Sequence, residues 1–263
     1  MKKNIKILIL YFSCLNLLIP HNDNLKSFEE ITNSHECEIN YGVWVASDNP
    51  EESGTCVPSP NFNHKLPNDV RWVSESKEYF QLCNQVYAHA TYICKVKAQF
   101  YNSSTSFKTP AVVLDLDETI LDNSQYQVEL FYKNESFNME SWSDWVLREE
   151  AELVPGSKNF IEFIRSLNIQ IIFISNRMNE RVDATKSNMK KLGIYNEDDI
   201  FLLRLSKEDT KEIRRQEILN GTGRMEAYGK YDVMAYIGDA AGDFPDNTST
   251  NFFILPNPMY GKW

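Results

Sequence analysis

Residues 111–119 read Ala-Val-Val-Leu-Asp-Leu-Asp-Glu-Thr, an apolar run of strand length that ends in two carboxylates, Asp115 and Asp117. Side chains alternate along a strand with a period of two, so these two acids point in the same direction. Like charges held this close are costly unless a cation lies between them or one acid keeps its proton. The spacing therefore predicts a nucleophile, an acid/base and a metal ion in one place, although a solvated pair of turn residues has the same pattern.

Three segments further along the chain also carry polar groups, either at the end of an apolar run or at the start of a helical one. The first ends at Ser175 and Asn176, whose hydroxyl and main-chain N–H groups suit a phosphate oxygen at the carboxyl end of a strand. Lys211 opens a helical stretch and can neutralise phosphate charge. A last apolar run leads to Asp239 and Asp243, and Mg²⁺ prefers carboxylate ligands. A lone lysine or acid is usually a solvated surface residue, so it is the order of the four segments that predicts a site.

Apolar strand patterns and helical patterns alternate along the chain. This alternation is typical of a mostly parallel sheet, and we predict an α/β fold with a three-layer, Rossmann-like core. Apolar residues that recur every three or four positions also predict one long helix over residues 71–99. The strand patterns lie at about residues 111–116, 169–174, 200–205, 232–237 and 252–255, and the later helical patterns at about 157–167, 180–192 and 210–219.

Aromatic residues are concentrated between the first two motifs. Together with the long helix they predict a small helical cap, contributed by about residues 71–108 and 123–155, over the catalytic end of the sheet. Trp72 and Tyr126 are our candidates for contact with a base or aryl leaving group. Packing of these rings within the cap is the plainer interpretation of the same pattern.

The motifs resemble the haloacid dehalogenase (HAD) superfamily, and within it the lipoprotein-type class C acid phosphatases of subfamily IIIB. The first signature is residues 115–123 followed by Tyr126, and the last is Gly238-Asp239 followed by Asp243-Phe244. The similarity covers about residues 71–260. The chain departs from the family pattern at two places, and the second lies in the loop beside the expected metal site, where it bears on substrate preference. Ile120 replaces a smaller or unbranched residue, and Ala240-Ala241 replaces a polar residue and a leucine.

The resemblance implies a mechanism for the acidic residues. Asp115 would attack phosphorus to form an aspartyl-phosphate, and Asp117 would protonate the leaving oxygen and later activate water. Mg²⁺ would be held by Asp115, the main-chain carbonyl of Asp117 and Asp239. Asp243 would orient either Lys211 or the waters on the metal.

The resemblance also implies the substrate class. Ser175, the backbone around Asn176, and Lys211 would hold the oxygens of a small phosphomonoester, such as a nucleotide monophosphate or an aryl phosphate. A phosphotransferase or a class B-type phosphatase could use the same motifs. A non-catalytic storage or binding protein could keep the fold, but it would not need to keep four residues together, namely Asp115, Asp117, Lys211 and Asp239.

Composition sets the remaining expectations. The chain has 263 residues and a formal net charge of −10, so it is a poor candidate for nucleic-acid binding. Residues 1–22 have the basic start and short apolar run of a secretory signal, followed by a cysteine-containing extension (23–70) and the phosphatase domain (71–263). We therefore expect export to a periplasm, an outer surface or the extracellular space. Membrane attachment through a lipid on Cys14 remains an alternative, and the oligomeric state is open.

Four cysteines remain after the signal, and an even number in an exported chain indicates disulfides. Cys83 and Cys94 lie on the expected long helix, roughly 16 Å apart at the rise of an α-helix, which is too far for a bond to each other. If all four are oxidised, Cys37 and Cys56 must each bond to the helix. The competing arrangement is a single Cys37–Cys56 bridge with two buried thiols in the helix.

Overall fold

The computed structural model describes residues 28–40, 42–45, 54–61, 64–101, 109–246 and 251–261. In these ranges the chain folds around a five-stranded sheet with helices on both faces. The strands are β1 (Gly42–Val45), β2 (Thr55–Pro58), β3 (Thr109–Leu114), β4 (Leu121–Asp122), β5 (Glu152–Leu153), β6 (Gln170–Met178), β7 (Ile200–Arg204), β8 (Tyr231–Gly238) and β9 (Asn251–Ile254). The helices are α1 (Ser34–Ile39), α2 (Asn68–Glu75), α3 (Lys77–Tyr101), α4 (Ser124–Lys133), α5 (Met139–Arg148), α6 (Ser157–Ser166), α7 (Val182–Lys191) and α8 (Lys211–Asn220).

The central sheet has the strand order β7-β6-β3-β8-β9. Every neighbouring pair in it is parallel, and β3 lies in the middle. Parallel strands place their carboxyl ends at the same edge of a sheet, so the polar segments that follow β3, β6 and β8 meet there. The α/β prediction is confirmed.

The two faces of β3 explain the three layers. Val112 and Leu114 belong to one apolar cluster, which includes Phe160 of α6 and Met189 of α7. Ala111 and Val113 alternate with them and point into a second apolar cluster, which contains Ile218 of α8. Because a buried parallel strand is covered on both sides, its buried positions, here residues 111–114, are all apolar. The sheet therefore lies between two helical layers, as predicted.

The single helix predicted over residues 71–99 is wrong in one respect. Ser76 has an extended conformation (φ −86°, ψ 141°) and separates α2 from α3. Its hydroxyl accepts a hydrogen bond from the main-chain N–H of Tyr79 at 3.0 Å, which satisfies an N–H group in the first turn of α3. α3 then packs against α6, β8 and β9, whereas α2 contacts α4. The long helix thus lies in a core layer, although the sequence pattern grouped it with the cap.

The region between β4 and β5 contains the aromatic cap helices α4 and α5. Tyr126 of α4 has its ring centroid 5.2 Å from that of Trp142 and 6.0 Å from that of Trp145, both on α5. The short antiparallel pairing of β4 with β5 closes this excursion from the core at its base. The cap is therefore held to the core next to the segment that carries Asp115 and Asp117.

The N-terminal extension contains a local disulfide between Cys37 and Cys56, whose Cα atoms are 5.5 Å apart. The arrangement with two bridges to the long helix is wrong. Antiparallel pairing of β1 with β2 brings β2 beside α1, so Cys56 meets Cys37 directly. Cys83 and Cys94 are free thiols buried in the apolar cluster under α3. The competing single-bridge arrangement is the one that the structure contains.

The predicted signal segment and Cys14 lie outside the described residues. Within the described part of the chain, no helix combines the length and the apolar character needed to span a membrane.

Candidate active site

Three carboxylates meet at the carboxyl edge of the sheet. Asp115 follows β3, Asp239 follows β8, and Asp243 ends a 3₁₀ turn over Ala241–Asp243. One carboxylate oxygen from each of these acids lies within 4.8 Å of the others. The main-chain N–H of Asp115 donates to the carbonyl of Ile237 at 2.9 Å, which fixes the ends of β3 and β8 against each other. The predicted convergence of the first and last motifs is therefore present in the structure.

Lys211 contacts this acidic cluster from α8, which covers the face of the sheet opposite α6 and α7. It is the first residue of α8, which begins after Thr210 caps the helix by accepting from the N–H of Ile213 at 3.3 Å. The Lys211 ammonium donates to Asp115 Oδ1 and to Asp243 Oδ1. Burial by itself would lower the pKa of Lys211, but the two carboxylates raise it above its usual value. Lys211 is therefore held protonated against the acids, and Asp243 orients it.

The carboxylates of this cluster are largely shielded from solvent, and their negative charges repel one another. Burial raises the pKa of Asp115 well above its usual range, and Asp243, Asp239 and Asp117 raise it further against the opposing effect of Lys211. Burial likewise raises the pKa of Asp239 to about 6, although the Asn257 side chain donates to its Oδ2 at 2.8 Å. Carboxylate oxygens that repel one another in this way are suitable ligands for a hard divalent cation. The residues present therefore fit a metal ion such as Mg²⁺.

Asp117 lies beside this cluster with different partners. Its Oδ1 accepts hydrogen bonds from Arg177 Nε at 2.9 Å and from Asn123 Nδ2 at 3.1 Å, and it forms an ion pair with Arg177 Nη2 at 2.8 Å. Its Oδ2 accepts from the Ser175 hydroxyl at 3.3 Å. The two acids of the first motif thus have separate environments, one facing lysine and carboxylates and the other facing arginine, amide and hydroxyl donors. Different environments allow two neighbouring carboxyl groups to perform different tasks.

Ser175 and Asn176 lie on β6, which continues to Met178 beyond the strand end expected at residue 174. The register with β7 shifts between Ser175 and Met178, so the strand is irregular where its polar residues begin. Ser175 is buried and contacts Asp117, whereas Asn176 is exposed. The Asn176 Oδ1 accepts from Arg214 Nη2 at 2.9 Å. The structure therefore brings Ser175 into the site and leaves Asn176 at its rim.

Arg214 and Arg177 are buried beside the site residues and form hydrogen bonds with them. The sequence motifs did not assign a role to either arginine. Arg214 is fully buried and donates to the main-chain oxygens of Ser175 and Leu202 as well as to Asn176. Burial lowers its pKa to about 10, with Asp209 opposing the shift. Arg177 is also buried and holds Asp117. Arg177 follows Ser175-Asn176 directly in the motif, but nothing in the local sequence distinguishes a buried arginine from an exposed one.

The two aromatic candidates have different surroundings. Tyr126 is only 3% exposed, and its hydroxyl lies 2.8 Å from Ser141 Oγ. These contacts favour the packing interpretation for Tyr126. Trp72 is half-buried, packs edge-to-face on Tyr79 with 5.6 Å between ring centroids, and lines an open groove of about 520 Å³ along α2. Trp72 therefore keeps an accessible face, which Tyr126 lacks.

Gly238 is required where β8 meets the acidic turn. A Cβ atom at this position would lie 2.4 Å from Asp243 Oδ2 and 2.5 Å from Asp243 Cβ. We expect Gly238→Ala to displace Asp243, to lower activity and to reduce the free energy of unfolding by about 1–3 kcal/mol. Thermal unfolding and activity measurements determine the two effects. Gly242→Ala is the matched control, because a Cβ there meets nothing within 4 Å, and equal effects of the two substitutions would contradict the steric argument.

Comparison with known proteins identifies the family. The family model described as HAD superfamily, subfamily IIIB (Acid phosphatase), matches residues 51–263. The chain belongs to this family. A class C acid phosphatase from Bacillus anthracis, solved with tungstate bound, has a similar structure: the TM-score is 0.60 and the identity 31%, over 73% of this chain and 84% of that one. The acid phosphatase prediction is therefore confirmed at the level of family, fold and enzyme class.

Two plant proteins that are similar to this chain are named as a storage protein and a glycoprotein, not as phosphatases. Vegetative storage protein 1 of Arabidopsis thaliana is 24% identical over 189 residues, which is 70% of this chain and 68% of that protein. A stem 31 kDa glycoprotein of Glycine max is 26% identical over 155 residues, or 56% of this chain and 58% of that protein. The match to the soybean protein thus spans little more than half of its length.

Proposed function

We propose that this acid phosphatase family member is an exported, Mg²⁺-dependent enzyme that hydrolyses small phosphomonoesters through an aspartyl-phosphate on Asp115. The observation that supports this proposal is the convergence of Asp115, Asp239 and Asp243 around Lys211 at the carboxyl edge of a parallel sheet. Asp117, with its separate set of donors, supplies a second acid beside the first. Nucleophile, cation and acid/base are the parts that phosphoryl transfer needs.

The metal would be held by the carboxylates of Asp115 and Asp239, with the main-chain carbonyl of Asp117 added from the family resemblance. A bound Mg²⁺ supplies positive charge that offsets the repulsion between a dianionic phosphate and the buried acids. Asp243 contributes indirectly in this proposal, because its Oδ1 accepts from Lys211 and its Oδ2 from the main-chain N–H of Ala240 at 2.9 Å.

The covalent steps use Asp115 and Asp117. A carboxylate oxygen of Asp115 attacks phosphorus, the bond to the leaving oxygen breaks with its electron pair on that oxygen, and Asp117 gives the oxygen a proton. In the second half, Asp117 takes a proton from water as the water oxygen attacks the phosphorus of the aspartyl-phosphate. Inorganic phosphate leaves and the Asp115 carboxylate is restored.

The transferred group would be held by the Lys211 ammonium, the Ser175 hydroxyl and main-chain N–H groups around Asn176. Fixed donors and charges of this kind lower the barrier because they need no reorganisation during the reaction. The tungstate in the Bacillus anthracis structure supports the proposal, since tungstate is a tetrahedral oxyanion like phosphate. Nucleotide monophosphates and aryl phosphates are the proposed substrates.

Export is supported by the disulfide between Cys37 and Cys56, because such bonds persist in oxidising compartments. A storage role, as in the names of the plant relatives, is the second candidate function. Storage by itself does not require an intact set of catalytic groups. In this chain Lys211 donates to Asp115, and Asp117 is near enough to Asp115 to raise its pKa. Hydrolysis of a phosphomonoester panel, with and without an alcohol acceptor, tests the phosphatase against the storage protein and the phosphotransferase.

Replacing Asp117 by Asn should give a loss of activity that depends on the leaving group. An alkyl phosphate needs a proton on its departing oxygen, so kcat should fall by about 10²-fold or more. A nitrophenyl phosphate needs little proton assistance, and its kcat should fall far less. Steady-state kinetics on both substrates measure the difference, with Asp144→Asn, an exposed acid on α5, as the control. Equal losses on the two substrates would exclude Asp117 as the acid.

A further inference from the structure

Asn123 precedes α4 as its N-cap residue but does not cap it. Asparagine is favoured at this position because its side-chain oxygen accepts from an N–H group in the first turn. Asn138 does this for α5, accepting from Glu140 N at 3.1 Å and Ser141 N at 2.9 Å. Asn123 makes no such bond. Its side chain is fully buried and forms hydrogen bonds to other groups instead.

The Asn123 amide links the cap helix α5 to Asp117. Its Oδ1 accepts from the indole N–H of Trp145 at 2.8 Å and from Arg177 Nη2 at 3.2 Å. Its Nδ2 donates to Asp117 Oδ1 at 3.1 Å and to the Leu121 carbonyl at 3.2 Å. Indole and guanidinium groups can only donate, so the amide oxygen must face them and the NH₂ group must face Asp117. The orientation of Asn123 is thus determined by its neighbours.

The two oxygens of Asp117 are left unequal by this arrangement. Oδ1 accepts hydrogen bonds from Arg177 Nε and Asn123 Nδ2, and Arg177 Nη2 lies within ion-pair distance of it at 2.8 Å. Oδ2 has the Ser175 hydroxyl at 3.3 Å. A proton on Oδ1 would be directed at donors, so Oδ2 is the oxygen that can carry a proton to a leaving group.

We propose that Asn123 and Trp145 are positioning residues, which saturate Oδ1 of Asp117 and so present Oδ2 to the leaving group. Docking of α5 then controls the acid, since the Trp145 indole fixes the Asn123 amide from the cap. The inference rests on the proposed acid/base role of Asp117. Arg177 takes part in the same network, but it is a buried cation whose removal would strand the Asp117 charge and destabilise the fold. Trp145 is the better probe.

Trp145→Phe keeps an aromatic ring in the cap and removes the indole N–H. We expect kcat for an alkyl phosphate to fall by about tenfold, KM to change by less than about twofold, and kcat for nitrophenyl phosphate to change little. Ser141→Ala is the control, since it removes a hydrogen bond to Tyr126 from the same helix without touching Asn123. Equal effects on both substrates, or no effect on either, would overturn the proposal.

Asn123→Ser provides a second variant, which removes the amide and leaves at this position a residue type that is favoured before a helix. It should show the same selective loss as Trp145→Phe, with thermal unfolding confirming that each variant is folded. Loss on the nitrophenyl ester equal to that on the alkyl ester would again overturn the proposal.

A double-mutant cycle separates the inference from the function on which it rests. If Trp145 acts through Asp117, then Trp145→Phe in the Asp117→Asn background should cause no further selective loss. A full additional tenfold loss in that background would refute the positioning role while leaving Asp117 as the acid. If Asp117→Asn alone affects both substrates equally, it is the proposed acid/base function that fails.

Discussion

Replacing Asp115 by Asn should abolish phosphate release, with kcat falling by at least about 10³-fold and the fold retained. An amide oxygen is too weak a nucleophile to form the covalent intermediate. The fold should survive because Lys211 keeps Asp243 as a partner and one of the mutually repelling carboxylates is removed. Steady-state kinetics, circular dichroism and mass spectrometry of acid-quenched enzyme measure turnover, folding and the trapped phosphoenzyme.

Asp232→Asn is the matched control for this substitution. Asp232 is exposed near the start of β8, at the opposite end of the strand that leads to Asp239. Activity close to that of the wild type is expected in the control. Substantial turnover by Asp115→Asn would refute the mechanism proposed for Asp115.

Exhaustive chelation should suppress activity as strongly as the loss of Asp115, and added Mg²⁺ should restore it. The reason is the cluster of Asp115, Asp239 and Asp243, whose mutual repulsion Lys211 offsets only in part. Binding should also be visible without catalysis, because a ligand at one hundred times its Kd stabilises a fold by about 2.7 kcal/mol. Thermal unfolding across a Mg²⁺ titration measures this effect.

The stabilisation by Mg²⁺ should depend on pH in a defined direction. In the metal-free protein the pKa of Asp239 is raised to about 6, so the folded state favours its protonated form. That contribution to stability is present at low pH and is lost as the pH rises through about 6. Protons therefore compete with the metal below this pH, and Mg²⁺ should stabilise the protein more above it.

Asp239→Asn is the variant that tests the metal site, with Asp232→Asn again as control. The first should lose most of the Mg²⁺-dependent rise in unfolding temperature, and the second should keep it. Full activity of chelated wild-type enzyme, or equal Mg²⁺ stabilisation of both variants, would show that the acidic cluster is not a metal site.

The sequence alone was sufficient to predict the sheet and the main participants in the site. Residues 111–114 of β3 are all apolar because both faces of the strand are covered there, and such a run is visible in one segment without knowledge of its partners. The parallel arrangement then requires the residues after β3 and β8 to meet at one edge. For this reason Asp115, Asp239 and Asp243 could be assigned to one site, although the chain contains many other acidic residues.

Other features depended on contacts between distant segments. Arg177 lies 60 residues from Asp117, and Trp145 lies 22 residues from Asn123, so no local pattern indicates either hydrogen bond. The break at Ser76 depends on one extended residue within an otherwise helical pattern.

The cysteine pairing and the role of Tyr126 were also decided by packing. Cys37 meets Cys56 because β1 pairs with β2, and Tyr126 is buried because α5 folds over it. Local sequence determines which residues prefer a strand, a helix or an apolar environment. Burial and choice of partner arise only when those elements pack together, and the tertiary structure therefore decided which polar groups support Asp117 and which cysteines form a bond.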